Sequence, residues 1–217
     1  VKLAATNLDD LKPALVFIGG TGELPVRLDG GSALFEGTVS GALREPLIAG
    51  QVRALQLRWR DVLLGALSTT VVAAPDRLSL TRFSVTQGGA TATGSGTLGL
   101  DDWKLTDASS IDLRAEARNL NVGTLRRQAG YAEPVEGLVN ANAQLSGTVG
   151  DPRGEMTVDW FRPAYGEERL DRIRVTLRHG GNTLEVPALE AQRGPARLTA
   201  SGRYAHRAAD WKNGDVE

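Results

Sequence analysis

The residues able to do chemistry in this chain are few and scattered. Histidine occurs twice, as His179 and His206, and cysteine is absent. Disulfide and thiolate chemistry are therefore excluded, and the redox compartment cannot be inferred from an absence. Two isolated imidazoles without thiolates do not make a zinc ligand set. His179 reads as a turn residue and His206 as the end of a strand, both in solvated surface roles. Gly94-Ser95-Gly96 lacks the G-x-S-x-G pattern of a nucleophile elbow. Gly19-Gly20-Thr21-Gly22 would cradle a phosphate only between a strand and a helix, and the following Glu23-Leu24-Pro25-Val26-Arg27-Leu28 reads as a strand. The acidic pairs Asp9-Asp10, Asp101-Asp102 and Glu167-Glu168 lack the spacing of a calcium loop and read as turn residues. No catalytic, cofactor or metal site is expected, and no enzyme.

The charged residues point to a solvated surface. Of 25 basic residues 21 are arginine, yet the net charge is −1, so no global basic field recruits nucleic acid or anionic lipid. Arg58/Arg60, Arg114/Arg118 and Arg174/Arg178 fall on polar strand faces, with Asp112 and Glu116 nearby in partial balance. A solvated sheet face is expected rather than an anion-binding surface. No run of 18 apolar residues exists, so no helix spans a membrane.

The elements that carry these residues are strands. Ile111, Leu113, Ala115 and Ala117 alternate with Asp112, Arg114, Glu116 and Arg118. Val139, Ala141, Ala143 and Leu145 alternate with polar residues in the same way, as do Leu55, Leu57 and Trp59, and Ile173, Val175 and Leu177. Each such segment has one apolar and one polar face, the pattern of an antiparallel sheet wet on one side. Pro75-Asp76, Gln87-Gly88-Gly89 and His179-Gly180-Gly181-Asn182 are the turn signals between runs. One short helix is expected over residues 121–130, with Asn121 as N-cap and Gly130 as stop. Residues 7–15 resemble its start, since Asn7-Leu8 echoes Asn119-Leu120, and Pro13 interrupts that copy.

The strands recur with a period. Ser40-Gly41 and Pro46 return as Ser146-Gly147 and Pro152, a shift of 106 residues. Leu78, Leu80, Phe83, Val85 and Gly88 return as Leu184, Val186, Leu189, Ala191 and Gly194, and Gly94-Ser95-Gly96 as Ala200-Ser201-Gly202, all at the same shift. Asp102-Trp103-Lys104 returns as Asp210-Trp211-Lys212 at a shift of 108. A fixed period denotes an array whose neighbouring units complete each other. In both copies the apolar spacing is 2, 3, 2, so a β-bulge is predicted at Thr81-Arg82 and at Pro187-Ala188. Residues 1–30 read as the tail of a preceding repeat, 31–136 as a first repeat of roughly six strands, and 137–217 as a second, truncated one. The opening Val1-Lys2-Leu3 reads as mid-strand, so the chain is expected to be an excised piece of something longer.

Such a sheet can bury its apolar face in two ways. It can fold onto itself as a sandwich, or curl into an open trough lined for a ligand. The lining is mostly Leu, Val and Ala, which suits acyl chains better than flat rings. At this point the residues resemble a family. Ser40-Gly41…Pro46…Gly50…Leu78…Gly88…Ser95-Gly96, and its copy Ser146-Gly147…Pro152…Gly154…Leu184…Gly194…Ser201-Gly202, are similar to the TamB family, the large subunit of the bacterial translocation and assembly module, within the broader AsmA-like family. The resemblance covers nearly the whole chain.

The resemblance implies an all-β fold: an elongated, curled antiparallel sheet (a β-taco, or repeating β-groove) with an apolar interior and at most one or two short helices. It implies a parent protein anchored in the inner membrane and crossing the periplasm, conducting phospholipid toward the outer membrane. Acyl chains and neighbouring repeats would be its partners, and an Omp85-type barrel would be met through regions outside this chain. Nucleic acid is not expected. The groove lining would comprise Leu55, Leu57, Trp59, Leu78, Leu80, Phe83, Val85, Ile111, Leu113, Val139, Leu145, Ile173, Val175, Leu177, Leu184, Val186 and Leu189. The reading that competes is a structural or adhesive β-repeat protein with a closed apolar core and no ligand.

Overall fold

The alternating runs form strands that pair with their neighbours in sequence. In the computed structural model, residues 1–11, 26–42, 45–59, 62–207 and 210–216 are described. The Gly19–Gly22 segment and Pro13 lie outside them. The strands are β1 (Lys2–Ala5), β2 (Val26–Ala42), β3 (Glu45–Trp59), β4 (Val62–Ala74), β5 (Arg77–Gln87), β6 (Ala90–Gly99) and β7 (Ser110–Asn121). They continue as β8 (Val135–Thr148), β9 (Pro152–Tyr165), β10 (Glu168–Arg169), β11 (Arg172–Gly180), β12 (Thr183–Arg193), β13 (Ala196–Arg207) and β14 (Asp210–Val216). All belong to one antiparallel sheet in sequence order, with the two-residue β10 attached to β9 alone. The sheet is curled and does not close. A 3₁₀ turn (Leu8–Leu11) precedes β2, and one helix, α1 (Val122–Gln128), follows β7.

The hairpins form where turn chemistry allows. Gly88 and Gly89 take φ of +55° and +88° between β5 and β6, the left-handed pair that a two-residue turn needs. Between β11 and β12 the turn is Gly181-Asn182 alone. His179, read from sequence as a turn residue, instead belongs to β11, because pairing with Gly154 and Leu184 extends the strand past it. The predicted helix carries its cap: the Asn121 side chain accepts from the Thr124 N–H at 2.8 Å. Gly130 follows its end with φ +78°.

The repeat is visible in the backbone. β5 and β12 are displaced by 106 residues at both ends. The register breaks between Leu80 and Phe83, and again between Val186 and Leu189, where the bulges were expected. The Ser-Gly-x-x-x-x-Pro motif also acquires a physical cause. Gly41 and Gly147 face Pro46 and Pro152 across the ladder, with φ of +90° and +102°. A Cβ at either would lie 2.6 Å from the carbonyl oxygen of Glu45 or Asp151. The Asp-Trp-Lys echo behaves differently: the first copy is a tight turn bridged from Asp101 to Lys104, the second lies in β14.

Among the described residues no second layer packs on this sheet to make a core. A compact protein of 23.1 kDa would expose about 9,700 Å², whereas this chain exposes 14,102 Å². Among the described residues the buried apolar side chains are Leu8, Ala54, Leu57, Ala73 and Pro163, and no large side chain is fully buried. Three of them, Leu8, Ala54 and Leu57, form one cluster with Val26, Leu28, Ala33, Leu64 and Leu67. It exists because the turn carrying Leu8 rests on the apolar side of β3 and β4.

Substituting alanine at Gly41 or Gly147 should cost at least about 2 kcal/mol, from left-handed strain plus backbone overlap. Gly88→Ala, with open space around its Cβ, should cost only about 1 kcal/mol. Urea denaturation of the three variants tests this; equal losses would remove the steric account of the motif.

Candidate functional site

Partners directly opposite in an antiparallel ladder stand on the same face, so the register defines what each face presents. One line of partners runs Ala5, Ala33, Ala54, Leu67, Val85, Ala92, Ala117, Ala141, Val158, Val175, Leu189, Ala200, from β1 to β13. No polar side chain interrupts it. A parallel line runs Gly37, Gly50, Val71, Leu80, Gly96, Leu113, Leu145, Gly154, His179, Leu184, Tyr204. Phe35, Phe83, Leu177 and Val186 lie between these two lines, and Leu78 and Ile111 beyond the second, on the same face. Twelve strands carry the first line, and at a spacing of about 4.8 Å they give an apolar surface roughly 53 Å long.

The residues expected to line the groove share this face, with one correction. Gln56 adopts φ +56°, and the ladder slips between Ala54 and Leu57. The extra residue turns Leu55 to the polar face opposite Ser32, where it is 56% exposed. Ala54 takes its place and is buried. Trp59, paired with Val26, stands at the edge of the apolar face and is 45% exposed. Val139 and Ile173 flank Trp160, whose indole N–H donates to the Glu136 carbonyl at 3.1 Å. The alanine positions between them are lining that the sequence pattern under-weighted, since small residues carry little hydropathy.

The floor is kept shallow by glycine opposite large side chains. A Cβ on Gly37 or Gly50 would fall 2.7 Å from the Phe35 ring, and one on Gly94 would fall 2.7 Å from Phe83. Their absence lets each ring lie against the sheet. Thr69 and His179 are polar side chains that enter the middle of the face. Thr69 is satisfied locally, its hydroxyl donating to the Thr70 carbonyl at 3.3 Å. His179 Nδ1 donates to the Pro152 carbonyl at 2.8 Å. Helix α1 packs on β8 and β7 and also touches β4. Since β4 lies three strands before β7, this contact spans the bend of the sheet.

The opposite face is charged and self-neutralising. Arg174 on β11 stands between Asp159 on β9 and Glu190 on β12; Arg178 stands between Glu155 and Glu185. Arg174 bonds Asp159 through Nε and Nη2 at 3.0 Å each, Arg172 adds Nε at 2.9 Å, and Arg178 reaches Glu155 at 2.8 Å. A hollow of about 70 Å³ on this side is lined by Arg172, Arg174, Glu190, Gln192 and Arg197. It is small, polar and far from the apolar lining in chemistry. No group of three or more metal-ligating side chains assembles among the described residues. Comparison with protein-family models, with curated proteins and with solved structures finds no match.

The Arg174 hydrogen bonds, with those of Arg172, hold the Asp159 carboxyl below its ordinary value against a smaller opposing effect of burial. A carboxylate with a depressed folded pKa stabilises the fold above its unfolded pKa of about 3.9, and the contribution fades as pH falls through the folded value. Asp159→Asn should therefore destabilise the chain at pH 6, and the difference from the unchanged chain should shrink as pH falls below the unfolded value of about 3.9. Thermal melts across that range measure it. A difference that stays constant with pH would assign the loss to packing.

Proposed function

We propose that this chain is a segment of a bacterial envelope protein whose apolar trough conducts phospholipid between the inner and outer membranes. The observation that carries the reading is the uninterrupted apolar line across twelve strands, on a face that the described residues cover only locally, as at Leu8. Each methylene moved from water onto such a surface gains about 0.8 kcal/mol, so acyl chains are bound without any specific polar contact. Because every strand adds the same kind of surface, a bound tail meets no deep minimum and can slide along the trough axis. The motif similarity to TamB and the AsmA-like proteins supports a parent protein anchored in the inner membrane. A contribution to outer-membrane protein assembly, through an Omp85-type barrel met by other regions, belongs to the same proposal.

A second reading, a structural or adhesive β-repeat protein without a ligand, draws on one observation. Leu8 shows that a short helical turn can seal part of the apolar face. If further turns of this kind cover the trough in the parent protein, the lining is ordinary core.

Photo-crosslinking separates the two. A photoreactive residue at position 80 or 113, on the apolar face, should yield phospholipid adducts in diderm cells, and one at Arg114, on the charged face, should not. Absence of adducts at 80 and 113, with efficient protein crosslinks there, would favour the sealed structural protein. Leu80→Arg supplies a second measure. On an open face the long side chain snorkels to water, so the melting temperature should change by only a few degrees while lipid adducts at 113 fall several-fold. Loss of folding would mark Leu80 as sealed core.

A further inference from the structure

We propose that the head groups of bound phospholipids lie along one rim of the trough, where β3, β5, β7 and β9 end, with the acyl chains reaching inward from it. This rests on the lipid-binding reading above and gives it an orientation. Trp59 ends β3 and Tyr165 ends β9. They occupy equivalent positions, 106 residues apart, and are 45% and 62% exposed. Tyr131, just beyond α1 at the same rim, is 66% exposed. Aromatic residues make up only 5% of this chain, so exposed rings recurring at one point of each repeat are a selective placement.

Tryptophan and tyrosine combine an apolar body with a polar tip, and they settle where hydrocarbon meets head groups. The last turn of α1 adds Arg126 and Arg127 to this rim. Arg126 donates to the carbonyls of Tyr131 and Ala132, at 3.2 and 3.1 Å, and Arg127 to the Thr124 hydroxyl at 3.3 Å. These bonds to neutral oxygens leave the positive charges uncompensated by a carboxylate. Glu168 at this rim is paired with Arg193. Glu133, Glu136 and Glu167 stand there too, so the recurring aromatics, rather than net charge, mark the rim.

The opposite rim, where β2, β4, β6 and β8 end, mixes half-buried Trp103, Arg77, Lys104 and Arg153, the last paired with Asp151 at 2.9 Å, with a set of carboxylates. There the equivalent positions 45 and 151 are both acidic, Glu45 and Asp151. The turn after β4 holds Asp76, and the segment between β6 and β7 holds Asp101, Asp102 and Asp107. Phosphodiesters are repelled by carboxylates and drawn to arginine. Carboxylates and cations stand at both rims, so the exposed aromatics that recur at Trp59 and Tyr165 assign the head groups to their rim.

Two photoreactive phosphatidylethanolamines test this on the unmodified chain, one with a diazirine on the head group and one with it at the acyl terminus. Peptide mapping should find at least five-fold more head-group adducts around Trp59, Tyr131 and Tyr165 than around Glu45 and Asp151. Acyl-terminal adducts should fall within β6 to β8. Trp59→Ala/Tyr165→Ala should lower head-group adducts at the aromatic rim at least three-fold and leave acyl-terminal adducts unchanged. Equal labelling of both rims, a preference for the acidic rim, or no effect of the double substitution overturns the proposal while acyl adducts persist. If neither probe labels the apolar face, the trough reading itself falls, and this inference with it.

Discussion

The structure depends on main-chain hydrogen bonding between strands that are neighbours in sequence. Along the sheet each strand joins the next by an antiparallel ladder, and no strand returns to pair at a distance. Order in such a chain propagates from one hairpin to the next, as it does in repeat proteins generally. Without a covering layer, the side chains contribute mainly through cross-strand pairs, each worth a few tenths of a kcal/mol to about 1 kcal/mol. The short helical segments add local burial where they touch the sheet, as Leu8 does over Ala54 and Leu57.

That constraint decides what the molecule presents to its surroundings. Strict alternation sends apolar residues one way and charged residues the other, and the curl keeps the two faces distinct. The charged face satisfies itself, with acids and arginines interleaved across β9, β11 and β12. The apolar face has no such internal remedy. The excess of accessible surface, 14,102 Å² against about 9,700 Å² for a compact chain of this mass, is the measure of what remains open. A continuous apolar surface of this extent on a protein marks a place where something else binds.

The second regularity is transverse. Running along the strands instead of across them, the repeat carries Trp59 over to Tyr165 at one end and Glu45 over to Asp151 at the other. A trough with equivalent rims would admit a lipid in either sense. Unequal rims give it a polarity perpendicular to its axis, which a sliding amphiphile would keep along its path.

Much of this was legible in the sequence, because strand side chains have a period of two and the chain repeats at 106 residues. Alternation in β7 and β8 gave the sidedness. The 2, 3, 2 spacing located the bulges in β5 and β12. Asn121 and Gly130 bounded the helix, since capping depends on adjacent residues alone. Other features needed the tertiary structure. Leu55 follows the alternation yet points outward, because the slip at Gln56 is a choice of backbone dihedral that no local pattern announces. His179 looks like a turn residue beside Gly180-Gly181, but pairing with strands on both sides holds it in β11. Ala117 and Ala141 already stand in the apolar alternation, but Ala5, Ala33, Ala54, Ala92 and Ala200 join the lining only once the register aligns them. Above all, alternation serves a sandwich and a trough equally well. Only the arrangement of all fourteen strands in one unclosed sheet distinguishes them, because whether an apolar face meets a second layer depends on residues far apart in the chain.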